Sequence, residues 1–119
     1  MITITLPANI NHTMVSMWID VYDYKAAHKS FSVHVGGYTY TYTDSATQLP
    51  VHTWANKPFA VVYGAEHSVR LGHNGTNFVI YIGEKATKWE YPQVSVRDVI
   101  VGYNGTMDKW DDAWTISFT

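Results

Sequence analysis

The 119-residue sequence contains no cysteine, which excludes disulfide bonds and thiolate metal sites. Charged residues make up only 15% of the chain, the net charge is −2, and the few basic residues form no stripe that could follow a phosphate backbone. No apolar run approaches the roughly 18 residues of a membrane span. The segment Met1–Leu6 lacks the features of a secretory signal. We therefore expect neither nucleic-acid binding nor membrane insertion.

Helical periodicity is also missing, and two-residue alternation dominates the chain. Ile2, Ile4 and Leu6 alternate with threonines, and similar alternation recurs at even spacing to the end of the sequence. Hydrophobic residues reach 46%, enough to form a core that offsets the entropy of folding. The pattern predicts one domain over residues 1–119, an antiparallel, jelly-roll-like β-sandwich of eight or nine strands.

Three local signals refine this prediction. Asn74-Gly75 lies between two alternating runs, which predicts a hairpin whose tight turn has positive φ at both central residues. The alternation changes phase near Arg97-Asp98, which predicts a β-bulge there. Gly36-Gly37 is expected to break a strand.

Aromatic residues are abundant, with nine tyrosines and five tryptophans. Tyrosine and tryptophan suit half-exposed recognition faces, although strands favour them as well. The segment around Trp18 is apolar on both faces, as expected for a central strand or a subunit contact. Alternatively, the tyrosines of the next strand could stack on cross-strand neighbours or contact a ligand. The predicted interface residues are Trp18, Tyr22, Tyr38, Tyr40 and Tyr42.

Two loops combine an aromatic ring with polar groups, the mixture that sugar recognition requires. One loop carries Lys88, Trp89, Glu90 and Tyr91, and the other carries Asp108, Lys109, Trp110, Asp111 and Asp112. The alternative is that both tryptophans cover the ends of the sandwich. The aspartates could hold a cation, but their spacing does not match a calcium loop. The predicted ligand-binding residues are Trp89, Tyr91, Trp110, Asp111 and Asp112, with His73 and Asn74 as outer candidates.

Catalytic and metal-binding patterns are weak. Ser68 follows His67 without the glycines of a nucleophile elbow. The glutamates Glu66, Glu84 and Glu90 show no pairing of the kind that glycoside hydrolysis uses. The six histidines have no recognisable metal-ligand spacing. We therefore predict a non-catalytic protein without a metal or cofactor.

The second half of the chain carries an ordered set of short motifs. They are Val69–Gly75, Ile80–Glu84, Trp89–Val94, Val101–Tyr103, and Trp110 followed by Trp114 and Ile116–Phe118. Together they resemble the C-terminal tip domain of tail fibres and related tail proteins of tailed bacteriophages, over roughly the last 50 residues. Leu71 stands where that family has an aromatic residue, and Asn74 stands where it has an acid, so any ligand role of that acid is in doubt here.

The resemblance implies a distal, homotrimeric fibre module that is made in the bacterial host cytoplasm and resides in the virion tail. Its partners would be the rest of the fibre and a host cell-surface receptor, either a glycan or another outer-membrane receptor. One alternative is a structural module that ends the fibre and aligns its trimer. Another is a free lectin of galectin-like architecture, but the galectin signature of His-Asn-x-Arg followed by W-G-x-E is absent.

Overall fold

A computed structural model describes residues 1–7, 12–24, 30–85, 87, 89–103 and 114–118. These residues form eight strands: β1 (Ile2–Thr5), β2 (Thr13–Tyr22), β3 (Phe31–Thr43), β4 (Pro50–Tyr63), β5 (Val69–His73), β6 (Phe78–Ile82), β7 (Gln93–Tyr103) and β8 (Thr115–Phe118). Within these ranges, no helix is long and apolar enough to cross a bilayer.

The strands form two four-stranded sheets, with orders β5-β6-β1-β8 and β4-β3-β2-β7. Every pair of neighbouring strands is antiparallel. The first and last strands, β1 and β8, pair with each other, and so do β2 and β7, the second and second-to-last strands. By contrast, β2-β3-β4 and β5-β6 join strands that follow one another in the sequence. The predicted antiparallel β-sandwich is confirmed.

The core follows the alternation of the sequence. Ile2, Ile4 and Leu6 are fully buried. β2 lies between β3 and β7, which matches the central position, one of the two alternatives predicted for this strand. Because successive side chains of a strand point to opposite faces, the residues between the buried ones form the outer face of each sheet. The core consists of Ile2, Ile4, Leu6, Val15, Met17, Ile19, Val21, Phe31, Val33, Val35, Phe78, Ile80 and Ile82.

The predicted bulge in β7 is confirmed. Ser16 of β2 pairs with Ile100, and Trp18 pairs with Arg97, so β7 has two residues where β2 has one. Asp98, the first of those two residues, has a φ of 53°. The extra residue keeps valines directed at the core on both sides of the bulge.

The expected strand break at Gly36-Gly37 is wrong, because β3 continues through both glycines. Instead, the irregularity lies in β4, where Asn56 and Lys57 both have a φ of 59°. A Cβ on Gly36 would lie 2.6 Å from the carbonyl oxygen of Val15. The absence of a side chain at Gly36 therefore permits a close approach within the sheet rather than ending the strand.

The β5–β6 hairpin is confirmed, but its turn differs from the prediction. Asn74 and Asn77 enclose the turn, and only Gly75 in it has a positive φ, of 101°. The Oδ1 atom of Asn74 accepts hydrogen bonds from the backbone N–H groups of Thr76, at 2.9 Å, and Asn77, at 2.8 Å. The asparagine side chain thus shapes the turn, and a second positive φ is not needed.

Candidate functional site

The outer face of the β4-β3-β2-β7 sheet is rich in aromatic residues. Register pairs Trp18 with His34 on β3 and with Arg97 on β7, and directly paired residues point to the same face. Tyr38 pairs with Met14, which places the β3 tyrosines on this face too. The structure thus brings all five predicted interface residues to one face: Trp18, Tyr22, Tyr38, Tyr40 and Tyr42.

Trp18 lies between two cross-strand neighbours. The His34 ring stacks on it with centroids 4.5 Å apart and an interplanar angle of 5°, and the Arg97 guanidinium lies 5.1 Å from its centroid. Because β3 and β7 flank β2 on opposite sides, each neighbour covers one face of the indole. Trp18 therefore organises the sheet surface rather than offering an open plate to a ligand.

A charged network lies beside Trp18. The Nε atom of Arg97 donates to Asp20 at 2.6 Å, and its Nη1 atom donates to Asp98 at 2.8 Å. Ser32 donates a hydroxyl hydrogen bond to Asp20 at 2.6 Å. The hydrogen bond from Arg97, supported by the one from Ser32, lowers the pKa of Asp20 below its usual range, so this carboxylate stays ionised at neutral pH.

A groove of about 550 Å³ opens next to this network. It lies where β2 ends and β7 begins, since Tyr22 pairs with Gln93. Tyr22 and Tyr63 are 59% and 52% exposed, so both offer ring surface at the walls of the groove. Its lining residues are Asp20, Val21, Tyr22, Ser30, Phe31, Ser32, Tyr63, Gln93, Val94 and Ser95.

The groove combines the groups that a polyhydroxylated ligand needs. Aromatic rings can pack against the C–H face of a pyranose, while hydroxyl and amide groups exchange hydrogen bonds with its hydroxyls. Ser30, Gln93 and Ser95 supply such groups next to the two tyrosines. Asp20 already accepts hydrogen bonds from Arg97 and Ser32, so it orients these two neighbours.

Tyr91, a predicted ligand residue, lies near the same end of the sheet. It is 76% exposed and makes an edge-to-face contact with Tyr24, with centroids 5.9 Å apart. The Tyr24 N–H donates to the carbonyl of Glu90, whose own N–H donates to the buried carboxylate of Asp23. These hydrogen bonds hold the loop that carries Tyr91 against the end of β2. Tyr91 precedes Gln93, a residue of the groove, by two positions in the sequence.

Trp89, the other predicted residue of this loop, points inward. Its half-buried ring packs against the core and contacts Phe31 and His67, at centroid distances of 6.0 and 5.1 Å. A Cβ on Gly83 would lie 2.7 Å from Cζ2 of the indole. This packing favours the alternative that Trp89 covers an end of the sandwich.

His73 and Asn74 lie at the β5–β6 turn, at the opposite end of β6 from the Trp89 loop. The His73 ring stacks on His52 with centroids 3.8 Å apart, and its Nδ1 accepts from the N–H of Gly75. Partial burial and the nearby charge of His52 lower the pKa of His73. The predicted ligand residues that the structure describes, Trp89, Tyr91, His73 and Asn74, therefore do not form one site.

The second predicted binding loop cannot be placed, because Trp110, Asp111 and Asp112, together with Asp108 and Lys109, lie outside the described residues. Lys88 of the first loop lies outside them as well.

The tyrosines of β3 form a ladder, with centroids 6.1 Å apart for Tyr38 and Tyr40 and 5.7 Å apart for Tyr40 and Tyr42. These tilted contacts run along one strand, so they differ from the cross-strand stacking that the sequence left open as an alternative.

The carboxylate of Glu84 is held by several hydrogen bonds. The Thr87 hydroxyl and the backbone N–H of Ser68 donate to its carboxylate, and they lower its pKa to about 2. His67 Nδ1 lies 3.6 Å from the same carboxylate. Hydrogen bonds of this kind tie the β6–β7 connection to the start of β5. The described residues contain no group of three or more histidine or acidic side chains placed to hold a metal ion.

Sequence reasoning missed most of the groove. The residues not predicted are Asp20, Ser30, Ser32, Tyr63, Gln93, Ser95 and the neighbouring Arg97. The available signal was the outward position of Asp20 and Tyr22 on an alternating strand, but the residues that join them come from three other segments.

No protein-family model, no curated protein and no solved structure matches the chain.

Proposed function

We propose that this domain is a non-catalytic attachment module that binds a saccharide in the groove between Tyr22 and Tyr63. The observation that carries the proposal is the pairing of two exposed tyrosines with serine and glutamine side chains in one open groove of about 550 Å³. A groove of this kind can recognise a sugar by stacking and hydrogen bonding. Tyr91 would extend the aromatic surface at its end.

The resemblance to phage tail-fibre tips supports the biological setting of this proposal. In that setting the saccharide is a glycan of the bacterial surface, and the domain attaches the virion to it. An open groove binds a single sugar weakly, but several copies on one fibre raise the overall affinity without any new contact. A homotrimeric assembly would provide such copies.

The proposal is tested by Tyr22→Ala and Tyr63→Ala, with Tyr42→Ala as the matched control. Tyr42 is an exposed tyrosine on the same sheet face, near the β3–β4 turn and away from the groove. A glycan array with the wild-type domain selects the saccharide, and calorimetry measures its affinity for each variant. Loss of one aromatic anchor costs about 1–3 kcal/mol, so we expect affinity to fall about 5- to 150-fold in both groove variants.

The control variant should retain wild-type affinity. Equal losses in all three variants would place binding elsewhere on the sheet, and unchanged affinity in both groove variants would refute the proposal. Circular dichroism of each variant confirms that the fold is retained. Binding of the same variants to host cells then separates attachment from recognition of the isolated sugar.

A second candidate function, alignment of subunits in a fibre, is favoured by exposed apolar side chains on the same face. Met14 is 50% and Ile100 is 69% exposed, and both lie near the β2–β7 pairing. If this face packs against other subunits, Ile100→Glu will shift sedimentation of the domain from a trimer to a monomer. A wild-type monomer would exclude this function for the isolated domain.

A further inference from the structure

Charged side chains lie next to the groove. In the described part of the chain, Arg97 lies beside it, and its guanidinium is held by two carboxylates, those of Asp20 and Asp98. Asp20 lines the groove, and the described lining residues include no lysine, arginine or histidine. The network of these three side chains therefore carries one net negative charge, because two carboxylates pair with one guanidinium.

The geometry of Arg97 also limits what it can offer a ligand. Its Nε and Nη2 atoms donate to Asp20, and its Nη1 atom donates to Asp98. Its guanidinium carbon lies over the indole of Trp18, 5.1 Å from the ring centroid. Three of its five N–H donors, including the Nε–Nη2 pair that can hold a carboxylate or sulfate in a bidentate way, are thus already used within the protein.

Building on the proposed function, we infer that the groove accepts uncharged saccharides and discriminates against acidic ones, such as uronic acids and sialylated or sulfated sugars. A neutral sugar needs only ring surface and hydrogen-bonding partners, which Tyr22, Tyr63 and Gln93 provide. Among the described residues, an anionic sugar meets the ionised Asp20 with Arg97, its cationic neighbour, already engaged within the protein. Like charges at this range repel, and the repulsion is strongest at low salt.

The test compares two oligosaccharides that differ in one group. A galactose trimer carries a hydroxymethyl group on each ring where a galacturonic acid trimer carries a carboxylate. We expect the wild-type domain to bind the neutral trimer about three- to tenfold more tightly at low salt, with a smaller difference at high salt. A glycan-array hit with its sialylated counterpart provides a second matched pair if the galactose trimer is not a ligand.

Asp20→Asn tests the cause. The substitution removes the negative charge of the groove while keeping a similar shape, so the preference for the neutral sugar should shrink about threefold or more. Asp44→Asn, in the turn between β3 and β4 and away from the groove, is the control, and it should keep the wild-type preference.

The outcomes separate this inference from the proposed function. Equal or tighter binding of the acidic sugar, weakened by Tyr22→Ala, would overturn the inference while leaving saccharide binding intact. An unchanged preference in Asp20→Asn would also overturn it. If no saccharide on the array binds in a way that depends on Tyr22 or Tyr63, the proposed function itself fails.

Discussion

Replacement of Trp89 by alanine separates a structural role from a ligand-binding role for this residue. A large aromatic side chain buries roughly 150–250 Å², and the half-buried Trp89 belongs at the low end of that range. At about 25 cal/mol per Å², 150 Å² corresponds to about 4 kcal/mol relative to an extended chain. Residual compactness of the unfolded state reduces this by roughly 10–40%. We therefore expect Trp89→Ala to lower the free energy of unfolding by about 2–3 kcal/mol.

The measurement is urea unfolding monitored by circular dichroism, and the matched control is Tyr91→Ala from the same loop. Tyr91 is mostly exposed, so its removal should change the free energy of unfolding by no more than about 0.5 kcal/mol. With a slope of about 1–3 kcal/mol per molar urea, the Trp89→Ala midpoint should fall by about 0.7–3 M. Trp89→Phe should recover part of the loss, because phenylalanine fills much of the same space above Gly83.

A Trp89→Ala variant that keeps wild-type stability but loses saccharide affinity would refute a structural role for Trp89. Such a result would mean that the indole leaves its contacts with Phe31 and His67 to meet the ligand. The opposite pattern, lost stability with normal saccharide affinity below the unfolding transition, would establish Trp89 as part of the fold.

Two further predictions concern stability. Gly36→Ala should lower the free energy of unfolding by about 1–3 kcal/mol through overpacking, because its Cβ would lie 2.6 Å from a backbone oxygen. Gly102→Ala is the control, since a Cβ there meets open space. Equal thermal midpoints of the two variants would contradict this prediction. In the folded state the pKa of His73 lies below its ordinary value of 6.5. The unfolded chain therefore binds more protons than the folded chain as the pH drops below about 6.5, and the free energy of unfolding should fall there. His73→Gln should flatten this decline in urea titrations at several pH values, and an unchanged pH dependence would exclude His73 as its source.

The sequence predicted the elements of this fold better than it predicted the site. Alternation identified the buried side of β1 and β2, and the phase change near Asp98 identified a bulge, because a two-residue period records which face of a strand is buried. The same signal misread Gly36, because a glycine that permits a close approach looks the same in sequence as one that ends a strand. It also left open whether Trp89 points outward or inward, since loops have no period to follow.

The sequence was enough to predict the fold class and the buried faces of the strands. It also indicated that many aromatic residues lie on the outer faces. Tertiary structure alone decided that Tyr22 and Tyr63 share a groove: Tyr63 pairs with Ser32, and Ser32 pairs with Asp20, two residues from Tyr22 on the same face. The physical reason is that alternation is a local property, set by burial of one face. Strand order and register depend on pairings between segments distant in sequence, and these pairings assemble the groove.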